Sequence, residues 1–122
     1  MPSQPRLTIK RVYDPPADSD GQRVLVDRLW PRGLSKDKAH LDLWLKEAAP
    51  SAELRKWFDH DPAKWGEFRH LYFGELDHND AVGQLRELMG KGPLTLLYGA
   101  HDEVHNQAVV LRDYLTEKSS HA

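Results

Sequence analysis

The chain has 122 residues, the size of one domain that can bury roughly two-thirds of its unfolded surface. Its 17 Lys and Arg against 19 Asp and Glu give a formal charge of −2, so the global basic field of a general nucleic-acid binder is missing. The absence of cysteine excludes a disulfide framework, thiolate zinc sites and a cysteine nucleophile.

A chain without cysteine fits a reducing compartment. Met1–Arg6 is polar, and no apolar run approaches the ~20 residues of a membrane span. The expected setting is therefore a soluble cytoplasmic one. In chain order, Leu7–Tyr13 alternates apolar and polar residues and reads as a strand. Asp14–Gly21 is turn chemistry throughout. Its Asp18–Gly21 end lacks the ligand spacing of a calcium loop and reads as an acidic turn. Arg23–Leu29 is a second, more continuously apolar strand, expected to be central.

Trp30-Pro31-Arg32-Gly33 must break that strand, because Pro31 lacks an N–H and Gly33 frees the chain to turn. Leu41, Trp44, Leu45 and Ala48 then recur at helical spacing, although Leu41, Leu43 and Leu45 also alternate. Ser51 caps a short helix carrying Leu54, Trp57 and Phe58. Asp61-Pro62 starts another, with Trp65, Phe68, Leu71 and Tyr72 as its buried stripe. Asn79 or Asp80 caps a further helix, with Val82, Leu85 and Met89 inward and Gly90 at its C-cap. Leu94–Tyr98 is a short buried strand, and Gly99–Asp102 is the loop beyond it. Asp102 is expected to cap a last helix bearing Val104, Ala108, Leu111 and Leu115, and Lys118–Ala122 a frayed tail, as is Met1–Arg6. The pattern predicts an α/β single domain: a small, mainly parallel sheet of three or four strands flanked by helices.

In open α/β sheets, ligands bind beyond the carboxyl ends of the strands. Two polar segments lie there, Asp27–Gly33 and Tyr98–Asn106, and they face one another if their strands are neighbours. Arg28 and Arg32 supply guanidinium forks for a carboxylate or phosphate. Trp30, Gly33, His101 and Asn106 complete the candidate ligand-binding set. His105 is the candidate acid/base, with Tyr98, Asp102 and Asn106 positioning it, and Asp27 is a second group able to orient a histidine. The structural alternative is that Arg28 pairs with an aspartate, Trp30 packs on a helix and Asn106 braces a loop.

His101 and His105 are four apart, but the glutamate of a helical zinc pair is missing and His101 precedes the helix, so no metal is expected. No Gly-rich phosphate loop, Rossmann fingerprint or serine elbow is present, and no cofactor is expected. Trp44, Trp57 and Trp65 recur among apolar neighbours and read as core.

Three stretches carry a resemblance: Arg23–Gly33, Ala49-Pro50-Ser51 with Leu54–Phe58, and Thr95–Ala100 with Asp102 and His105-Asn106. With them the chain resembles the YeaO-like family, a branch of a bacterial domain-of-unknown-function superfamily, from about Leu7 to Leu115. The resemblance implies an α/β fold and a bacterial cytosolic setting, but no activity. The wider superfamily is similar in placing a Cys-His-Arg triplet on a helix after an acidic loop. Here that stretch reads Val104-His105-Asn106, which keeps the histidine alone. The functional expectation is an anion-binding cleft, in an enzyme or relict enzyme acting on a nucleotide or phosphorylated small molecule. The alternative is a non-catalytic binding or regulatory module for a small ligand, nucleic acid or protein partner.

Overall fold

In a computed structural model of the chain, which describes residues 7–119, four strands form one sheet in the order β1-β4-β2-β3, with every pairing parallel. They are β1 (Leu7–Arg11), β2 (Gln22–Leu25), β3 (Leu43–Trp44) and β4 (Leu94–Tyr98). The apolar run of β4 takes the central position, and all five of its residues are buried. That follows from its composition, since a parallel strand covered on both faces needs apolar side chains on both.

Among the described residues, five α-helices accompany the sheet: α1 (Lys36–Ala39), α2 (Ala52–Phe58), α3 (Trp65–Leu76), α4 (Ala81–Lys91) and α5 (Gln107–Ser119). The main core lies on one sheet face, where Val24, Leu94 and Leu96 meet Phe58, Phe68, Tyr72, Leu85 and Leu111. A smaller cluster of Val12, Leu25, Ala39 and Leu97 occupies the other face, covered by Trp30, Leu34 and Leu41. Alternate β2 and β4 side chains thus point to opposite layers.

Local chemistry explains the helix boundaries. Ser51 caps α2 by accepting from Leu54 N at 3.1 Å. Its own N–H and hydroxyl donate to the Glu75 carboxylate of α3 at 2.9 and 2.6 Å, which ties two helices together. Asp61 accepts from Ala63 N at 3.0 Å and starts a 3₁₀ turn, Pro62–Lys64, that runs into α3. Asn79 accepts from Ala81 N at 2.8 Å ahead of α4.

Several expectations need correction. The helical spacing from Leu41 to Ala48 does not make an α-helix; β3 pairs with β2 there and a 3₁₀ turn follows at Lys46–Ala48. The alternation of Leu41, Leu43 and Leu45 was the better signal, because pairing to β2 supplies the hydrogen bonds that a two-residue strand cannot make alone. β2 ends at Leu25 rather than Leu29, and β1 at Arg11 rather than Tyr13. Leu71 is exposed rather than part of the buried stripe of α3. The C-cap of α4 is Gly92, at φ 148°, not Gly90. The helix α5 continues to Ser119, past the start of the tail expected from Lys118; the rest of that tail, 120–122, and the one expected at 1–6 lie outside the described residues.

Candidate functional site

Because β2 and β4 are hydrogen-bonded neighbours, the two polar segments that follow them emerge side by side. Asp27 connects them. Its Oδ2 accepts from Gly99 N at 2.9 Å, and its Oδ1 accepts from the Gln107 side-chain amide. The approach depends on glycine, since a methyl group on Gly99 would come within 2.9 Å of Asp27 Oδ2.

Above this junction is a cavity of about 400 Å³, within the range of small-molecule sites. The β2 segment contributes Asp27, Arg28 and Leu29, and α2 contributes Arg55, Lys56 and Phe58. Asp59 and His60 follow α2, and both adopt left-handed backbone conformations, at φ 46° and 55°. Two consecutive non-glycine residues held there store local strain, a common property of functional loops. Ala49-Pro50 and Phe68 supply apolar wall, while Ala100, His105, Asn106 and Gln107 close the side formed by the β4 segment and the start of α5.

The charges divide unevenly. Arg28, Arg55, Lys56 and His60 line the cavity, and none of them forms a salt bridge among the described residues. Arg55 Nε is buried with no hydrogen-bond partner among the described residues, a costly arrangement for a charged donor. Against them stand Asp27 and Asp59. Burial pushes the Asp27 carboxyl up to about 6, although the Gly99 and Gln107 bonds and the nearby Arg55 and His60 charges act the other way.

His105 is positioned by Asp102. Asp102 Oδ1 accepts from Val104 N at 2.9 Å and His105 N at 2.8 Å, while Oδ2 lies 3.0 Å from His105 Nδ1. These donors, the His105 N–H first, hold the Asp102 carboxyl down at about 2. The His105 ring also meets the edge of Trp65, with centroids 5.1 Å apart. Asp102 therefore braces a turn ahead of α5 rather than capping the helix itself.

Asn106 does the capping, accepting from Val109 N at 3.1 Å and donating to Asp102 O at 2.8 Å from a buried position. Asn106→Ala is expected to cost about 1–2 kcal/mol, read by urea denaturation. A change below a few tenths would mean that water replaces the cap.

Of the residues singled out from sequence, Asp27, Arg28, His105 and Asn106 come together at this cavity. The others sit elsewhere. Tyr98 is buried in the main core, where burial raises its hydroxyl pKa. Trp30 lies on the opposite sheet face, donating from Nε1 to Leu34 O at 2.6 Å and meeting the edge of Trp44 at 5.3 Å. Arg32 is exposed, and its backbone oxygen accepts from the Tyr13 hydroxyl at 2.8 Å. Gly33 makes an exposed turn at φ 76°, and His101 is exposed beyond the cavity lining. Asp102 lies one layer behind, acting through His105.

Sequence reasoning missed Arg55, Lys56, Asp59 and His60. The available signal was Arg55-Lys56, two cations in a short helix preceded by a serine cap and Pro50, but nothing local said which way that helix faced.

The fold and cleft define a small, all-parallel α/β domain with a cationic cavity at the carboxyl ends of its central strands. The chain belongs to the family described as the inactive DUF488-N3 subclade, whose model matches residues 6–122. It is 50% identical over 110 residues to "Uncharacterized protein YeaO" of Escherichia coli (strain K12), covering 89% of this chain and 96% of that relative. It is 39% identical over 115 residues to "Uncharacterized protein Mb3100c" of Mycobacterium bovis, covering 94% of this chain and 98% of the relative. "Uncharacterized protein Rv3073c" of Mycobacterium tuberculosis shows the same identity and coverage. No solved structure matches the chain. Among the described residues, no helix is long and apolar enough to cross a membrane.

Proposed function

We propose that the cavity binds a small anion, of phosphate or carboxylate chemistry, without turning it over. The carrying observation is that Arg28, Arg55, Lys56 and His60 line one cavity with no salt-bridge partner among the described residues. Unpaired cations held together repel one another, and an anion relieves that repulsion while satisfying their N–H donors. The apolar wall of Phe58, Phe68 and Pro50 lowers the local dielectric and strengthens such contacts.

Binding is favoured over catalysis by what lines the cavity. Among the described residues, no Ser, Thr, Cys or Tyr side chain lines it to serve as a hydroxyl or thiol nucleophile. His105 retains an aspartate partner, but no side-chain hydroxyl or thiol lines the cavity beside it. The family description as an inactive subclade agrees with this reading.

Calorimetric titration with inorganic phosphate is the test. Saturable binding is expected, weakening steeply with salt, and Arg55→Met should reduce affinity about tenfold or more, the loss of one charged hydrogen-bond partner. Arg32→Ala should leave binding unchanged, because Arg32 stands outside the cavity. No saturable binding, or equal affinity in the Arg55 variant, removes the anion reading.

A further inference from the structure

A carboxylate in a cationic anion site is a contradiction unless it has its own task. Asp27 lines the same cavity as Arg28, Arg55 and His60, yet it forms no salt bridge with any of them. Its two protein bonds do not require its charge. Gly99 N–H needs one acceptor, and Gln107 can present either end of its amide. An asparagine would satisfy both, with its oxygen toward Gly99 and its amide group toward a turned Gln107. The fold thus asks for an Asp27-shaped side chain and not for an anion.

A carboxylate has about four lone-pair sites, and the described partners of Asp27 use one on each oxygen. The remainder are acceptors at the edge of a cavity whose other polar lining is mainly donors. The cleft is therefore bipolar, with cations on α2 and the β2 segment and an acceptor at the junction with α5. Resting on the anion-binding reading, we propose that Asp27 is the specificity-determining residue of this cleft. It selects a phosphate monoester that also carries hydroxyl donors, a phosphorylated sugar either free or within a nucleotide, over a phosphate monoester without them. The cations hold the phosphoryl oxygens, and the Asp27 oxygens accept from ligand hydroxyls. A ligand without donors would leave the carboxylate facing another anion with nothing to offset the repulsion.

The test compares methyl phosphate, ribose 5-phosphate and adenosine 5′-monophosphate by calorimetric titration at pH 7.5, where methyl phosphate is a dianion without an O–H donor, on the wild-type chain and on Asp27→Asn. For the wild type, ribose 5-phosphate should bind about tenfold or more tightly than methyl phosphate, the effect of gaining hydrogen bonds to a charged acceptor. Adenosine 5′-monophosphate binding more tightly again assigns the sugar to a nucleotide; binding no better than ribose 5-phosphate assigns it to a free sugar phosphate. In Asp27→Asn, methyl phosphate should bind more tightly than in the wild type, and the preference for the sugar phosphate should shrink. Circular dichroism checks that the variant is folded, and the wild-type comparison stands without it. If methyl phosphate and ribose 5-phosphate bind equally to the wild type, the selectivity assignment is wrong while anion binding stands. If neither binds, the anion reading itself has failed.

Discussion

Asp20→Ala is expected to destabilise the protein by about 3–5 kcal/mol, because it leaves the Arg23 guanidinium buried without its counter-charge. Asp20 and Arg23 are only 8% and 5% exposed, and they form a direct ion pair. Lys10 adds a second cation at 3.1 Å, and Ala17 N donates at 3.0 Å. Arg23 in turn donates to Ala39 O at 2.9 Å and His40 O at 3.0 Å. The network therefore joins β1, the turn before β2, and the segment leading into β3.

Burial alone would raise the Asp20 pKa, but the Ala17 N–H bond and the Lys10 and Arg23 partners outweigh it and leave it lowered. A lowered carboxyl contributes stability above its unfolded value of 3.8, and that contribution disappears as pH falls through the lowered value. Removing both charges, in Asp20→Ala with Arg23→Met, should recover part of the loss, since no buried charge then lacks a partner. Urea denaturation of the single and double variants measures this. A single-variant loss below about 1 kcal/mol, the range of exposed pairs, would show that water reaches Arg23.

Asp27 should behave in the opposite sense. Its carboxyl is raised from 3.8 to about 6 by burial, so the folded state holds a proton that the unfolded state has released. Its contribution is fully present below about pH 4 and is lost as pH rises through 6. The rise corresponds to up to about 3 kcal/mol, reduced by whatever solvent reaches this half-buried group. Asp27→Asn cannot ionise, so its stability relative to the wild type should grow by up to that amount between pH 4 and pH 7.5. Urea midpoints of both proteins across this range provide the check. A difference that does not vary with pH would mean that the Asp27 carboxylate is well accommodated. A gain would set a stability cost against the ligand selectivity assigned to the same charge, the usual relation between active clefts and stability.

Where the sequence was legible, local rules were sufficient. The Ser51 cap, the Asp61-Pro62 restart and the apolar run of β4 depend on neighbours within a few residues, and each occurs where its pattern stands. Where it misled, a distant partner decided. The stretch from Leu41 to Ala48 satisfies a helical period, but β2 draws Leu43-Trp44 into the sheet. Asp18–Gly21 reads as an acidic turn and is one, but only the fold shows its Asp20 buried against Arg23 and Lys10. Asp102 and Asn106 compete for the cap of α5, and only the geometry separates the residue that holds the turn from the one that holds the helix.

The same division runs through the candidate site. Sequence alone determined that polar segments follow two apolar strands, that Arg28, His105 and Asn106 belong to them, and that cysteine chemistry is absent. Strand adjacency was decided only by the fold: β4 inserts between β1 and β2, which sets Asp27 against Gly99. So was the choice of cations. Arg32 stands four positions after Arg28 in a loop bent by Pro31 and Gly33 and lies outside the cavity, whereas Arg55 and His60 reach it from a separate helix and its following turn. Residue type and local spacing specify hydrogen-bonding and charge capacity, which the chain carries before it folds. Which capacities share one cavity depends on packing between elements far apart in sequence, and that is a property of the assembled core.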